Sequence, residues 1–317
     1  MDFKGICYVL SYEDLVDVAF GRASKKRPEE KVKFVSKTVR KHLNKVARSW
    51  PNLDELPSFY RELIGVSIDI DGLKKALATL KRSDVALEKL EKIYQKKLRK
   101  RMEKEKAYQL RRVYYGRVKA VLRQIRGELD FLAKGRKRLL EFPDIQDAFT
   151  IVIAGLPNVG KSSLLRAMTG AEPRVESYPF TTQSILLGYF EERHLRYQII
   201  DTPGLLDRPL EDRNPIERQS VLALRHLADV VLYIFDPSET CGYTAKEQLN
   251  VFQEISANFN LPVIPLVNKI DLFGENHGKK FLKTKNLKGF LCSATEKRGV
   301  DDLKKELINH RAASEAG

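Results

Sequence analysis

The N-terminal half of the chain has its apolar residues at the three- and four-residue spacing of amphipathic helices. Residues 32–46 carry valine or leucine at every third or fourth position until Trp50-Pro51 ends the run. Ser11 and Asp14 resemble a capping box ahead of a first helix. Further helical patterns lie at residues 58–64, at 72–80, and from Asp84 to about residue 133, the last as one helix or two. The pattern therefore predicts an all-α helical bundle over residues 1–147.

The pattern changes after residue 147, where continuous apolar runs of strand length replace the helical spacing. Phe149–Ala154 is rich in β-branched and aromatic residues, which is typical of a buried parallel strand. Residues 184–191 and 195–201 flank a short polar turn and predict a hairpin. Later strand-length runs lie at residues 230–235, 262–267 and 289–292. Strands that alternate with helices in this way predict an α/β domain over residues 148–312, with a mostly parallel sheet in three layers and a short tail at 313–317.

Composition and charge agree with two domains that have different partners. The chain has 317 residues, of which 43% are hydrophobic, and this excludes a largely disordered protein. Its net charge of +15 arises entirely in residues 1–148, which hold 36 basic and 21 acidic side chains, whereas residues 149–317 hold 21 of each. The basic half therefore predicts a polyanionic partner.

The cysteine positions and the lengths of the apolar runs indicate the cellular compartment. Cys7, Cys241 and Cys292 are scattered, so neither a disulfide framework nor a zinc site is indicated. Acidic residues interrupt the first fifteen positions, and no apolar run approaches the roughly 18 residues that span a bilayer. The sequence predicts a cytoplasmic protein with no membrane partner.

A glycine-rich loop directly follows the first predicted strand. Residues 155–162 read GLPNVGKS, which matches the G-x-x-x-x-G-K-[ST] pattern of phosphate-binding loops. Lys161 would reach the β- and γ-phosphates, and the Ser162 hydroxyl would bind Mg²⁺. The predicted nucleotide contacts in this loop are Asn158, Val159, Gly160, Lys161, Ser162 and Ser163. The strand before the loop and the helix after it are the context that a P-loop requires.

Two further segments lie where a P-loop protein needs groups around the γ-phosphate. Asp201-Thr-Pro-Gly204 ends the second hairpin strand, so Asp201 would join the Mg²⁺ shell through water and the Gly204 N–H would meet the γ-phosphate. Thr182 precedes the hairpin and would complete the metal shell when a γ-phosphate is present. Lys161, Thr182 and Gly204 are therefore the predicted catalytic residues.

The loops after the last two strands identify the base. Asp271 in Asn268-Lys269-Ile-Asp271 would accept hydrogen bonds from guanine N1–H and the 2-amino group, whereas adenine offers an acceptor and no amine there. Asn268 would bind the other edge of the ring, and Lys269 would pack over the base. Ala294, in the loop with Ser293, would donate its N–H to guanine O6. Together these residues predict GTP and GDP as ligands.

The chain resembles the nucleolar GTP-binding protein (Nog) family, within the Obg-type branch of translation-factor-related GTPases. The stretch at 201–219 is the most specific to that family. The resemblance rests on GLPNVGKSSL at 155–164, SYPFTTQSILLGYF at 177–190, DTPGLLDRPLEDRNPIERQ at 201–219, NKID at 268–271 and the basic helical segment before them. It implies a P-loop GTPase domain preceded by a helical domain that contacts rRNA, with a role in maturation of the large ribosomal subunit. We expect a monomer away from the ribosome. Larger members carry C-terminal extensions whose functions the resemblance does not transfer to this chain.

One departure from small Ras-like GTPases affects the expected mechanism. Leu205 stands where those enzymes place the glutamine that orients the attacking water, so slow turnover is expected without an activator. Arg208 and Arg213 would supply positive charge in cis or, as exposed side chains, contact a partner. Asn158 matches the P-loop asparagine that coordinates K⁺ in some related GTPases, the alternative being a plain spacer.

The basic half has the composition of an RNA-binding surface. Residues 91–112 hold 10 basic and 3 acidic side chains, with Tyr94 and Tyr108 between them and Tyr114 and Tyr115 following. A second basic face comprises Lys33, Lys37, Arg40, Lys41, Lys45 and Arg48. Too few acids are present to pair these charges, which favours rRNA or a large-subunit precursor as partner. The tyrosines and Trp50 would otherwise be core residues, and for Trp50 this is the preferred interpretation.

Two other functions are compatible with the same motifs. One is a GTP-sensing scaffold that scarcely hydrolyses its nucleotide. The other is a signalling GTPase whose basic helices recruit it to an anionic membrane surface.

Overall fold

The structure is a computed structural model, and the residues it describes form two compact units. The described residues are 3–21, 23, 28–98, 103–178, 184–192, 194–208 and 213–316. The helical unit comprises residues 2–56 and 67–140. The sheet unit comprises residues 57–66 and 141–317.

Helices and strands follow one another as the change in sequence pattern indicates. The α-helices are α1 Tyr12–Val16, α2 Pro28–Ser49, α3 Ser58–Ser67, α4 Ile70–Leu98, α5 Lys104–Gln124, α6 Arg126–Leu139, α7 Lys161–Thr169, α8 Pro215–Ala223, α9 Ala245–Phe259, α10 Ile270–Phe273, α11 Glu275–Thr284 and α12 Val300–Ala316. The strands are β1 Phe149–Ala154, β2 Arg174–Glu176, β3 Ile185–Glu192, β4 Leu195–Asp201, β5 Val230–Phe235, β6 Val263–Val267 and β7 Phe290–Leu291. Helix α12 continues to Ala316, so most of the predicted tail is helical.

Helices α2 and α4 pack along each other in the helical unit. The apolar positions that predict α2 are buried, and so is Trp50. Helix α4 is continuous where the sequence indicates separate helices at 72–80 and from Asp84. Neither glycine nor proline interrupts residues 73–98, and Leu80, Ser83 and Leu87 keep one buried face across the expected break. The stretch expected as one helix or two divides instead among α4, α5 and α6.

Helix α3 lies in the sheet unit, although its neighbours in sequence belong to the helical unit. The Tyr60 hydroxyl donates to the Pro143 carbonyl at 2.9 Å and accepts from the Ile145 N–H at 3.0 Å. The Phe59 ring lies 6.4 Å from the Tyr178 ring, measured between centroids. A boundary at residue 147 therefore does not follow the compact units, because α3 buries its aromatic residues among residues of the sheet unit.

The sheet confirms the expected mostly parallel α/β architecture. Its described strands lie in the order β2-β3-β4-β1-β5-β6-β7, with β4, β1, β5, β6 and β7 parallel. Strands β3 and β4 form the expected hairpin, and the three-residue strand β2, too short for a periodic signal, is an addition at its edge. Every residue of β1 and β5 is buried, as in strands covered on both faces. Within the described part of the chain, no helix is both long and apolar enough to cross a bilayer.

Candidate functional site

The predicted motifs meet at one edge of the sheet. Because β1, β4, β6 and β7 are parallel, the loops that follow them leave the sheet at the same edge. The P-loop follows β1, Asp201 ends β4, Asn268 follows β6, and Ser293 comes two residues after β7. Four segments that are far apart in sequence therefore form one loop cluster.

The P-loop backbone requires its glycines. Gly155 has a φ of 139°, and a Cβ there would lie 2.8 Å from the Ile234 carbonyl oxygen. Gly160 has a φ of 100°, and a Cβ there would overlap the side-chain amide of Asn268. Asn158 is also left-handed, with a φ of 61°, and its side chain is exposed. These angles bend the loop after β1 so that α7 begins at Lys161.

The ammonium group of Lys161 lies within the P-loop. Its Nζ donates to the carbonyl oxygens of Gly155 at 2.7 Å and Leu156 at 2.9 Å. Burial lowers the pKa of Lys161, while the negative charge of Asp201 opposes that shift. A buried ammonium held by neutral carbonyls is well placed to exchange them for phosphate oxygens.

Ser162 and Asp201, two predicted members of the Mg²⁺ site, are in direct contact. The Ser162 hydroxyl donates to Asp201 Oδ2 at 2.5 Å. Asp201 Oδ1 is buried and has no hydrogen-bond partner among the described residues. Burial raises the pKa of Asp201, although the Ser162 hydrogen bond and the Lys161 charge counteract it. A hydroxyl beside a carboxylate with an unpartnered oxygen fits a Mg²⁺ ion bound directly by Ser162 and through water by Asp201.

The loop after Asp201 is held by internal bonds. The Gly204 N–H donates to Asp207 Oδ2 at 2.8 Å, and Arg213 Nη1 donates to the Gly204 carbonyl at 3.0 Å. The Arg213 side chain is only 2% exposed, whereas that of Arg208 is 50% exposed and lies 3.7 Å from Glu217. The structure therefore separates two arginines that the sequence treats alike. Thr182, the remaining predicted metal ligand, lies outside the described residues.

Asn268 connects the loops of the site through its side-chain amide. Its Nδ2 donates to the Val159 carbonyl at 2.9 Å, and its Oδ1 accepts from the Ala294 N–H at 3.0 Å. The Cys292 thiol also lies 3.3 Å from Oδ1. Both ends of the buried amide bind protein atoms, so Asn268 joins the loops. Because Nδ2 carries a second N–H, its contact with the base stays a prediction. The Ala294 N–H, predicted to meet guanine O6, donates to this Oδ1 in the structure.

Lys269 is positioned by an aspartate that sequence reasoning missed. Lys269 Nζ lies 2.7 Å from Asp236 Oδ2 and 2.9 Å from the Thr240 hydroxyl. Asp236 is fully buried and also accepts from the Cys241 N–H at 3.0 Å and from Ser238. The signal for Asp236 was present, because an acid directly follows the buried strand β5 at the same sheet edge.

Asp271 is available for a ligand. Its Oδ1 is buried without a hydrogen-bond partner among the described residues. Ser293 is buried, and its hydroxyl accepts from the Glu296 N–H at 3.1 Å, which shapes the loop that carries Ala294. Ser163 and Ala294 line one open cavity of about 500 Å³ beside α7. This volume is within the usual range for small-molecule sites.

The parallel sheet, the P-loop and the loops after β4, β6 and β7 define the class of P-loop GTPase domains. Comparison with known families gives the particular one. Residues 3–146 match the NOG1 N-terminal helical domain, and residues 215–271 match nucleolar GTP-binding protein 1 (NOG1). The chain belongs to the nucleolar GTP-binding protein 1 family.

Individual relatives agree with this assignment. An uncharacterised protein of Methanocaldococcus jannaschii is 45% identical over 251 residues, which cover 79% of this chain and 71% of the relative. Nucleolar GTP-binding protein 1 of Drosophila melanogaster is 33% identical over 331 residues, covering 96% of this chain and 51% of the relative. Nucleolar GTP-binding protein 1 of Eremothecium gossypii is 33% identical over 290 residues, which cover 86% of this chain and 45% of the relative. The chain thus spans about half the length of the two named relatives.

Proposed function

We propose that this chain binds GTP and GDP, hydrolyses GTP with Mg²⁺, and acts as an RNA-binding assembly factor of the large ribosomal subunit. The observation that carries the guanine assignment is the buried, unpartnered Oδ1 of Asp271 within the described residues. A buried carboxylate oxygen without a donor costs free energy, and guanine N1–H and its 2-amino group supply the donors. The names of the relatives support GTP as the ligand.

The residues around the phosphates support a hydrolytic role. Lys161 would exchange its two carbonyl partners for phosphate oxygens, and Ser162 with Asp201 would hold Mg²⁺. The ion, when bound, neutralises charge on the phosphate oxygens. Leu205 is fully buried and has no polar group to orient water. We therefore expect turnover of about 10⁻⁴ to 10⁻² s⁻¹ without an activator.

Replacement of Asp271 tests the guanine site. Asp271→Asn presents an amide donor where xanthine presents an acceptor, so the variant should lose about 10³-fold or more in GTP affinity and bind xanthosine triphosphate in its place. Titration calorimetry with both nucleotides measures this exchange. Asp301→Asn, an exposed aspartate of α12, is the matched control and should leave both affinities unchanged. Unaltered GTP binding by Asp271→Asn would exclude the guanine pocket.

A potassium ion beside the phosphates is a further part of the proposal. The Asn158 side chain is exposed at the bend of the P-loop, next to the backbone amides that would surround the phosphates. Single-turnover hydrolysis should be faster in KCl than in NaCl, and Asn158→Ala should remove the difference. Equal rates of the unaltered protein in the two salts would make Asn158 a spacer.

The basic surfaces of the helical unit support RNA as partner. Lys33, Lys37 and Lys41 are exposed along α2, whereas Arg40 on the same helix pairs with Asp84 and Glu88 of α4. Arg40 therefore belongs to the packing of the unit and is removed from the predicted surface. The three lysines remain at i, i+4 spacing with no acidic partner among the described residues, which suits a phosphate backbone.

The aromatic residues of the same unit divide into two groups. Tyr94 and Tyr114 are buried, and the Tyr114 hydroxyl donates to the Val32 carbonyl at 3.2 Å. Tyr108 is 50% exposed, and the Arg111 guanidinium lies 5.1 Å from its ring centroid. Only Tyr108 of these three is placed to stack on an exposed base.

RNA binding by the full chain should depend steeply on salt. We expect affinity for large-subunit rRNA to fall log-linearly with KCl concentration, as counterion release requires. The triple variant Lys33→Glu, Lys37→Glu, Lys41→Glu should weaken binding at least about tenfold and flatten the slope. Its matched control reverses Lys279, Lys280 and Lys283, three exposed lysines of α11 in the sheet unit. Equal losses in the two variants would refute a site on α2.

A further inference from the structure

Arg213 is buried in the sheet unit with part of its hydrogen-bonding capacity unused. Only 2% of its side chain is exposed, which is unusual for an arginine that lacks full pairing. Its Nη1 donates to the Gly204 carbonyl at 3.0 Å. Its Nε and Nη2 are buried without a hydrogen-bond partner among the described residues. A guanidinium group in this state is prepared to receive a further acceptor.

The carboxylate of Asp207 lies between this arginine and Gly204. Its Oδ2 accepts from the Gly204 N–H at 2.8 Å, and its Oδ1 lies 3.6 Å from Arg213 Nη2. One anion is thus held by a backbone amide on one oxygen and faces a guanidinium with the other. This amide is the one that the D-x-x-G motif directs to a γ-phosphate.

We propose that Arg213 and the Gly204 N–H together bind the γ-phosphate of GTP, and that the Asp207 carboxylate occupies this pair of donors as an internal anion until the γ-phosphate displaces it. This assignment rests on the proposed binding of GTP. It makes Arg213 a phosphate-binding residue, whereas the exposed Arg208 has no part in the site.

The exchange follows from the chemistry of the groups involved. A carboxylate and a phosphate both accept from arginine and from backbone amides, so they compete for the same donors. GDP has no γ-phosphate and leaves the contacts of Asp207 intact. GTP must displace Asp207, so the carboxylate lowers the affinity for GTP relative to GDP. Once the γ-phosphate is in place, it accepts from the unused N–H groups of Arg213, and this contribution raises the affinity for GTP.

The test compares affinities, which do not depend on turnover. The full chain and its variants are titrated with GDP and with a non-hydrolysable GTP analogue in Mg²⁺, and the ratio of the two affinities is measured. Asp207→Asn, a neutral and weaker competitor, should shift this ratio about tenfold toward the analogue. Arg213→Ala should shift it about ten- to hundredfold toward GDP. Arg208→Ala is the control and should keep the original ratio.

Stability must be separated from recognition, because Arg213 is buried. Arg213→Lys retains a cation, so its ratio of GDP to analogue affinity should lie between the ratios of the unaltered protein and Arg213→Ala. If Arg213→Ala weakens both nucleotides equally, the arginine has only a structural role and the proposal is overturned. An unshifted ratio in Asp207→Asn also overturns it. If the unaltered chain binds neither nucleotide, the proposed function fails as well, whereas normal ratios in every variant reject only the assignment of Arg213.

Hydrogen exchange gives an independent measurement. The Gly204 amide donates to Asp207 in the structure. When GDP is bound, its protection from exchange should therefore be similar in Asp207→Asn to that in the unaltered protein, and lower in Asp207→Ala. The GTP analogue should restore protection in Asp207→Ala, because the γ-phosphate replaces the lost acceptor. Continued rapid exchange at Gly204 with the analogue bound would contradict the proposed contact.

Discussion

The Nδ2 of Asn268 donates to the carbonyl oxygen of Val159 across 2.9 Å, and this bond joins the loop after β6 to the P-loop. Because the Oδ1 of the same side chain accepts from Ala294, one amide connects three loops. An aspartate at position 268 would keep the acceptor and lose the donor. Position 268 therefore requires asparagine because its side chain must both donate to Val159 and accept from Ala294.

Asn268→Asp should weaken GTP and GDP alike, by about tenfold or more, and should lower the melting temperature. The carboxylate would face the Val159 carbonyl without a proton to share. Calorimetry with both nucleotides and a thermal melt measure the two effects. Asn258→Asp, whose amide bonds within its own helix α9, is the control. An altered base preference at unchanged stability would show that Asn268 contacts the base.

Ser162→Ala should reduce the Mg²⁺-dependent part of nucleotide affinity. In the unaltered protein the hydroxyl that would bind the metal lies 2.5 Å from Asp201, so its loss removes the direct ligand and leaves the carboxylate. We expect the gain in GTP affinity on adding Mg²⁺ to fall about tenfold or more, with affinity in EDTA nearly unchanged. A full Mg²⁺ effect in the variant would place the metal elsewhere.

The Asp236–Lys269 pair should contribute stability that is lost only in acid. Burial alone would raise the pKa of Asp236, but hydrogen bonds from Lys269, Ser238 and Thr240 outweigh it and hold the pKa below its usual value. A carboxylate with a lowered folded-state pKa stabilises the protein above the unfolded pKa of about 3.9, and this contribution disappears as the pH falls through the folded value.

The comparison that isolates this effect is urea unfolding of the unaltered protein and Asp236→Asn. The unfolding free energy of the unaltered protein minus that of Asp236→Asn should be constant from about pH 7 to about pH 5 and should shrink below about pH 4. Asp301→Asn, at an exposed position, should differ less from the unaltered protein in unfolding free energy at every pH. A difference that stays constant down to about pH 3 would mean that the charge of Asp236 does not matter.

Tyr60→Phe should destabilise the sheet unit. Burial raises the pKa of Tyr60 to about 12, so the hydroxyl keeps its proton and serves both the Pro143 carbonyl and the Ile145 N–H. Removing it takes one hydrogen bond from each of two backbone groups, at a cost of about 1–3 kcal/mol. Chemical denaturation measures the loss. Tyr8→Phe, at a residue that is 63% exposed, should cost far less.

The sequence predicts the strands and the motif positions well because both depend on local pattern. The apolar runs of β1 and β5 and the glycines of the P-loop have no competing interpretation. Side-chain partners are a different matter, since Asn268 finds Val159 at a separation of 109 residues. Periodicity carries no information about such a pair. The same limit applies to Asp207, whose proposed role depends on an arginine that only the fold shows to be buried.

The position of helix α3 has a practical consequence for anyone who divides the protein into fragments. A fragment that starts at residue 148 would lack helix α3, and with it Phe59 and Tyr60. A fragment that stops at residue 147 would expose both rings and attract apolar ligands unrelated to RNA. Separating the two proposed activities therefore calls for point variants in the intact chain, since the chain crosses between its compact units at residues 56–57, 66–67 and 140–141.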